Sequence, residues 1–206
     1  ATELKENKKI VIETEVTNTG DTYSGKEVVE LYATCPAGKL EKEYRRLVAF
    51  AKTGLLAPGQ CEKLTLEIGL DKLTSYSEKE AAWILEKGTY VIWAGNSLEA
   101  SAPCAVLNLD KEVVLTKTQN ICPLKEELEE MKQSSEKMNQ KLEALLKTAE
   151  EKKVPVMELK AADVETRVVE YRSNVECVPE EARKFVDTLS TEKLVALASG
   201  DPGKGQ

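Results

Sequence analysis

The sequence predicts an all-β sandwich followed by a mainly α-helical C-terminal extension, and three observations predict it. Residues 10–32 hold two runs in which apolar and polar side chains alternate, which is the period of a strand. Turn-forming residues then recur as far as residue 118 at about the 8–12-residue spacing of an immunoglobulin-like sandwich. After Pro123 the period changes, and apolar residues fall three and four apart as a helix requires.

Residues 1–7 are polar and carry no pattern. Ile10, Ile12, Thr14 and Val16 face one way and Val11, Glu13, Glu15 and Thr17 the other, and Val28, Glu30 and Tyr32 then alternate with Val29 and Leu31. Asn18, Gly20, Asp21, Ser24 and Gly25 tolerate left-handed backbone angles or bond their own main chain, so the two runs read as adjacent antiparallel strands joined by a loop. Pro36, Gly38 and the charged residues 39–46 form a loop into a third strand at 46–56, and Pro58-Gly59 turns the chain. Leu64, Leu66, Ile68 and Leu70 alternate with Lys63, Thr65 and Glu67 in a half-buried strand. Residues 71–82 read as turn and charged surface. A strand follows Gly88 over 89–94, and a last one lies within 104–116, so the sandwich is expected to fill 1–118.

Residues 119–178 are expected to be a linker built on a long helix over 123–150. Leu124, Leu128, Met131, Met138, Leu142, Leu145 and Ala149, with Ser135 the polar member, form a heptad seam. Glu126, Glu127, Glu129 and Glu130 suit the positive helix N-terminus, Lys147, Lys152 and Lys153 suit the other end, and Pro155 stops it. Two roles fit this seam: a coiled-coil arm for self-association through 124–149, or a single helix laying one stripe on a neighbouring domain. Val164, Val168 and Val169 leave a short helix or an extended segment open, with the β-branched density at 166–169 favouring extended. Pro179-Glu180-Glu181 opens a helix to Asp187, and Ser190 or Thr191 caps a last one through Ala198, ahead of Gly200.

Composition excludes several classes of function. Acids outnumber bases 36 to 29, giving a net charge of −7 and a pI near 5.0, so no nucleic-acid partner is expected, because phosphates require a basic surface. No apolar run approaches a membrane span and no basic-then-apolar leader opens the chain, so no membrane partner is expected. Cys35, Cys61, Cys104, Cys122 and Cys177 lack the close spacing of a zinc site and read as reduced, which points to the cytoplasm. The chain opens almost on a strand, as a piece of a longer protein would.

Histidine is absent, which removes Ser-His and Cys-His nucleophile pairs and the commonest zinc ligand. The tail Gly200-Asp201-Pro202-Gly203-Lys204-Gly205-Gln206 fails the phosphate-loop pattern: Ala198 stands five before Gly203, and Gly205 replaces the Ser or Thr that would hold magnesium. Trp83, Trp93 and Tyr90 have faces suited to sugar rings, but core packing is the favoured reading, with Tyr90 and Ile92 on one face and Val91 and Trp93 on the other. Residues 39–46 read as a solvated loop. The sequence thus offers no catalytic, cofactor-binding or metal-ligating residue.

A resemblance rests on Val16-Thr17-Asn18-Thr19-Gly20, Gly25-Lys26-Glu27-Val28-Val29 and Leu31-Tyr32, followed by Arg45-Arg46-Leu47-Val48-Ala49-Phe50, Leu56-Ala57-Pro58-Gly59 and Leu73-Thr74-Ser75-Tyr76. Trp83, Gly88-Thr89-Tyr90-Val91-Ile92 and Ala94-Gly95-Asn96-Ser97 continue it. In that order they resemble the fibronectin type III-like domain that accompanies family-three glycoside hydrolases, the beta-glucosidase group. Leu189-Ser190-Thr191-Glu192-Lys193-Leu194, running on to Gly200, resembles the helix that opens the barrel domain of the same family.

The resemblance implies a permuted domain order, with the sandwich in the middle of the enzyme and 179–206 the start of a truncated catalytic barrel. It implies a parent that hydrolyses O-glycosyl bonds, with its nucleophile in the barrel and its acid/base in the other catalytic domain, both outside 1–206. A retaining glycosidase needs two carboxylates about 5–5.5 Å apart, and none of the 36 Asp and Glu residues stands in a recognisable catalytic context. The expected function is therefore a non-catalytic structural module whose partners are the adjoining catalytic domains of the parent chain. A carbohydrate-binding module with an exposed aromatic platform and a coiled-coil interaction module are the other classes.

Overall fold

A computed structural model describes residues 2–4, 8–124, 126, 135–170 and 178–199, with the backbone alone for 135–139. The chain divides into two units, 1–170 and 171–206, each taken by itself below. The first is mostly β. In chain order it contains β1 (Thr2–Leu4), β2 (Ile10–Thr17), β3 (Val28–Thr34), β4 (Arg46–Lys52), β5 (Cys61–Ile68), β6 (Ser75–Ser77), β7 (Ala82–Leu85), β8 (Gly88–Gly95), β9 (Ala102–Leu109) and β10 (Val113–Lys117). Helix α1 (Ser135–Glu151) and strands β11 (Val156–Leu159) and β12 (Arg167–Val168) follow.

The strands form three sheets, in the orders β1-β2-β5, β12-β10-β7-β6 and β11-β9-β8-β3-β4. Their inward residues converge on one core: Ile10, Leu66 and Ile68 from the first sheet, Leu85 and Val113 from the second, and Leu31, Ile92 and Leu107 from the third. Burying each such aliphatic side chain contributes about 1.5–3 kcal/mol, so one shared core holds the sheets together. A sandwich fits this arrangement.

The alternation at 10–32 does mark two strands, but they are not neighbours. β2 pairs with β5 along its whole length, Ile10 opposite Ile68 to Thr17 opposite Cys61, whereas β3 pairs with β4 and β8 in another sheet. The loop between them crosses from one sheet to the other and is pinned at the strand ends. The Asn18 amide donates to the Tyr23 and Leu56 carbonyls at 3.0 and 2.9 Å, and Gly25 exchanges backbone bonds with Leu56. Pro58-Gly59 is the turn opposite, with Gly59 at φ 76°, the left-handed angle that suits glycine.

Three other expectations are corrected. The single last strand is two, β9 and β10, separated at Asp110 and Lys111. The sheets also run past residue 118, because β11 pairs in parallel with β9 and β12 in parallel with β10. A parallel pair needs a crossover connection, and α1 lies on the β9–β11 path. Finally, Pro123, Leu124 and Glu126 are not helical. The described helix begins at Ser135, and the seam positions Leu128 and Met131 lie outside the described residues.

The second unit is a modest helical pair, α2 (Glu180–Asp187) and α3 (Thr191–Ser199). Pro179 precedes α2, and Glu180 and Glu181 sit in its first turn, where the dipole favours acids. The Ser190 hydroxyl accepts the Lys193 N–H at 3.3 Å and so caps α3. Gly200 and the tail behind it lie outside the described residues.

Candidate functional site

The charged loop 39–46 is tied down by a buried carboxylate. Glu86, just after β7, accepts the backbone N–H groups of Lys39 and Leu40 and pairs with the Lys42 ammonium, the two side chains being 5% and 2% exposed. A buried ion pair is tolerable only when its remaining lone pairs and protons are satisfied. They are here, because Lys42 also donates to the Leu40 carbonyl at 3.0 Å. Gly38 is required beside it, since a Cβ there would stand 2.3 Å from the Glu86 carboxylate. Further out, Lys39 bridges Glu80 and Glu112 at 2.8 and 2.9 Å. Hydrogen bonds to these carboxylates raise the Lys39 ammonium above its ordinary pKa, and the bond from Lys39 lowers that of Glu80.

The outward side of β8 is closed by α1. Val91, Trp93 and Leu142 form a second small core, with Tyr32, Leu145 and Leu146 packed against it. Trp93 is 3% exposed and donates its indole N–H to the Thr34 hydroxyl at 3.1 Å. The Arg45 guanidinium lies 3.6 Å from the centre of its ring and donates to Leu98 and Ser101. Of the two roles that fit the helical seam, the described residues take the second, a stripe laid on a neighbouring surface.

Cover is incomplete over β4, the edge strand of this sheet. Its bulge sets Leu47 opposite Tyr32 and Phe50 opposite Glu30, so both share the outward face of β3, while Val48 turns into the core. Leu47 is 50% and Phe50 68% exposed. Sequence reasoning took Leu47 and Phe50 as family pattern and missed their exposure, because a bulge breaks the period-two rule.

The three aromatics singled out in the sequence part company. Tyr90 is core, and its hydroxyl donates to the Glu86 carbonyl at 2.7 Å. Trp93 lies under α1 and Arg45. Trp83 alone stays open, 44% exposed, beside Tyr76 with ring centroids 5.2 Å apart and planes tilted by 56°. Among the described residues no cluster of His, Cys, Asp or Glu has the makings of a metal site. Cys35 is buried, Cys104 partly so, and Cys61 and Cys122 are exposed; Cys177 lies outside the described residues.

The family described as "Fibronectin type III-like domain" matches residues 27–98. Beta-glucosidase A of Butyrivibrio fibrisolvens is 43% identical over 93 residues, 43% of this chain and 11% of its own length. A beta-glucosidase of Ruminococcus albus is 35% identical over 111 residues, 52% of this chain and 12% of its own. Among solved structures, a beta-glucosidase from Paenibacillus barengoltzii superposes with a TM-score of 0.56 at 33% identity, covering 58% of this chain and 14% of that one. The chain thus spans about a tenth of the length of the curated relatives it matches. Residues 27–98, which hold the Glu86 lock, the Arg45–Trp93 stack and the bare β4 face, match the fibronectin type III-like family, and the chain is similar over about half of its length to stretches of these beta-glucosidases.

Proposed function

We propose that this chain is a non-catalytic accessory region of a beta-glucosidase-like glycoside hydrolase, its sandwich bracing the catalytic domains of a longer polypeptide. The observation that carries this reading is the fibronectin type III-like match over residues 27–98 together with 43% identity to beta-glucosidase A over 93 residues. The bare apolar strip of Leu47 and Phe50 supports it, since an exposed apolar patch on a soluble domain marks an interaction surface. In this reading α2 and α3 open the barrel that follows, the hydrolysed substrate carries an O-glycosyl bond, and the protein is cytoplasmic.

The test is hydrolysis of a chromogenic aryl beta-glucoside, by this chain and by a longer polypeptide that carries it. The expected outcome is turnover by the longer polypeptide and none by residues 1–206. Turnover by 1–206 would overturn the reading, and so would silence of the longer polypeptide.

A further inference from the structure

We propose that β4 receives an extended, acid-bearing strand from the longer polypeptide, added beside it as a sixth strand of its sheet. Among the described residues the three sheets end at β1 and β5, at β12 and β6, and at β11 and β4. Natural sheets protect such edges by keeping them short or charged. β1, β6, β11 and β12 are two to four residues long. β5 runs eight residues but exposes Lys63 and Glu67. β4 has neither protection: it runs seven residues, and Leu47 to Ala51 are uncharged. Its bulge lies toward Leu47, and from Ala49 to Lys52 its register with β3 is unbroken.

What this edge offers is backbone, and that selects the occupant. The Thr53 N–H donates to the Glu27 carbonyl at 2.9 Å. Antiparallel pairing alternates, so Ala51 and Ala49 turn their backbone groups to β3 while Phe50 and Lys52 turn theirs away. Donors and acceptors at strand spacing are matched by another extended backbone. The side chains narrow the choice. Leu47, Phe50 and Lys52 are exposed on the outward face, so the added strand sets apolar residues beside the first two and a carboxylate beside Lys52. A second copy fits less well, because the antiparallel register that lays Leu47 on Phe50 brings Lys52 opposite Arg45, like charge against like. The chain spans only about a tenth of its curated relatives, so a parent of their length has ample chain to supply the strand. That strand rests on the bracing reading above and names the contact through which the bracing acts.

Hydrogen exchange read residue by residue by mass spectrometry, on the 206-residue chain and on a longer polypeptide that carries it, tests the edge whether or not the glucoside is hydrolysed. In the 206-residue chain the Ala49 and Ala51 amides should be protected and those of Phe50 and Lys52 open. In the longer polypeptide Phe50 and Lys52 should exchange at least about a hundredfold more slowly. Lys52→Glu leaves every bond to β3 in place, and should cancel most of that protection while leaving the 206-residue chain unchanged. Phe50→Pro removes only the outward N–H, a loss that an edge strand tolerates, and should likewise open Lys52 in the longer polypeptide. Turnover by a longer polypeptide in which Phe50 and Lys52 stay open would overturn the added strand and leave the bracing. Protected amides in a polypeptide without turnover would overturn the bracing of catalytic domains and leave the strand. Protection of both amides already in the 206-residue chain would overturn the proposal, in favour of a second copy where it grows with concentration, and so would protection that survives both variants.

Discussion

Glu86 is a carboxylate that the fold has removed from water, and its partners explain why it is tolerated. Two backbone N–H groups and the Lys42 ammonium converge on it. Replacing it by leucine leaves the ammonium buried without a counter-charge and orphans the N–H groups of Lys39 and Leu40, so Glu86→Leu is expected to cost about 3–5 kcal/mol in urea unfolding. The double change Lys42→Met, Glu86→Gln keeps an acceptor for both N–H groups without burying a charge, and should cost clearly less. A loss under about 1 kcal/mol for Glu86→Leu would mean that the loop is not locked there. Nothing in residues 39–46 announces this: Lys42 looks like any surface lysine until a carboxylate 44 positions away meets it. The buried thiols carry a second prediction. Burial pushes Cys35 from 9.0 up to about 11 and Cys104 up to about 12. Between the unfolded and folded values the native state holds protons that the unfolded chain has released, so stability falls as pH rises. Their contribution is intact below pH 9.0 and is lost as pH climbs toward 11 and 12. The thermal midpoint should therefore decline over that alkaline window, and Cys35→Val should flatten the decline. An unchanged slope would remove Cys35 from the account.

At the scale of elements, α1 is where the sequence and the fold can be compared most directly. The heptad seam holds only within Ser135–Glu151: Leu142 and Ala149 are buried and Leu145 partly so, Leu142 against Val91 and Trp93 of the chain's own sheet, whereas Leu124 is exposed and outside the helix. Leu142→Ala removes a side chain from that small core, with an expected cost of about 2–4 kcal/mol. Because the lesion sits at a helix–sheet contact, proteolysis within α1 should accelerate in the variant before the whole sandwich melts; global and local opening that remain coincident would argue against a separable helix. Seam spacing says that a helix has an apolar stripe, and not what covers it. The strands were legible for a similar reason and with a similar limit. Alternation marked β2, β3 and β5, but partners are set by long-range contacts, so β2 and β3 read as a hairpin although they belong to different sheets. β7 and β11, four residues each, are too short for alternation to stand out. Of the candidate surface, the aromatic identities were legible and their exposure was not. Trp83 and Trp93 carry the same side chain in strands of similar pattern, and only the placement of α1 and Arg45 buries one and leaves the other open.

For the molecule as a whole, the question is where the sandwich ends. Sequence composition set the end at 118, at the last residue that resembles a strand before the change of period. The sheets disagree. β11 completes the ladder on the outer side of β9, with the Val106 N–H bonded to the Pro155 carbonyl, and it adds Met157 and Leu159 to the main core. α1 closes the surface over Trp93. Cutting after residue 118 would thus strip two buried side chains from the core, at about 1.5–3 kcal/mol each, unpair the edge of β9 and expose Val91 and Trp93. The total rivals the 5–15 kcal/mol that holds a typical domain together. An unpaired apolar edge also templates aggregation. Residues 1–118 are therefore expected to aggregate or to melt without a cooperative transition, while 1–170, which keeps both cores entire, should melt cooperatively within a few degrees of the first transition of the full chain. Calorimetry on the two truncations decides between them. A cooperative transition of 1–118 at the same midpoint as 1–170 would place the end of the folding unit at 118 and reduce α1 and β11 to decoration, whereas its absence makes the helix crossover part of the sandwich.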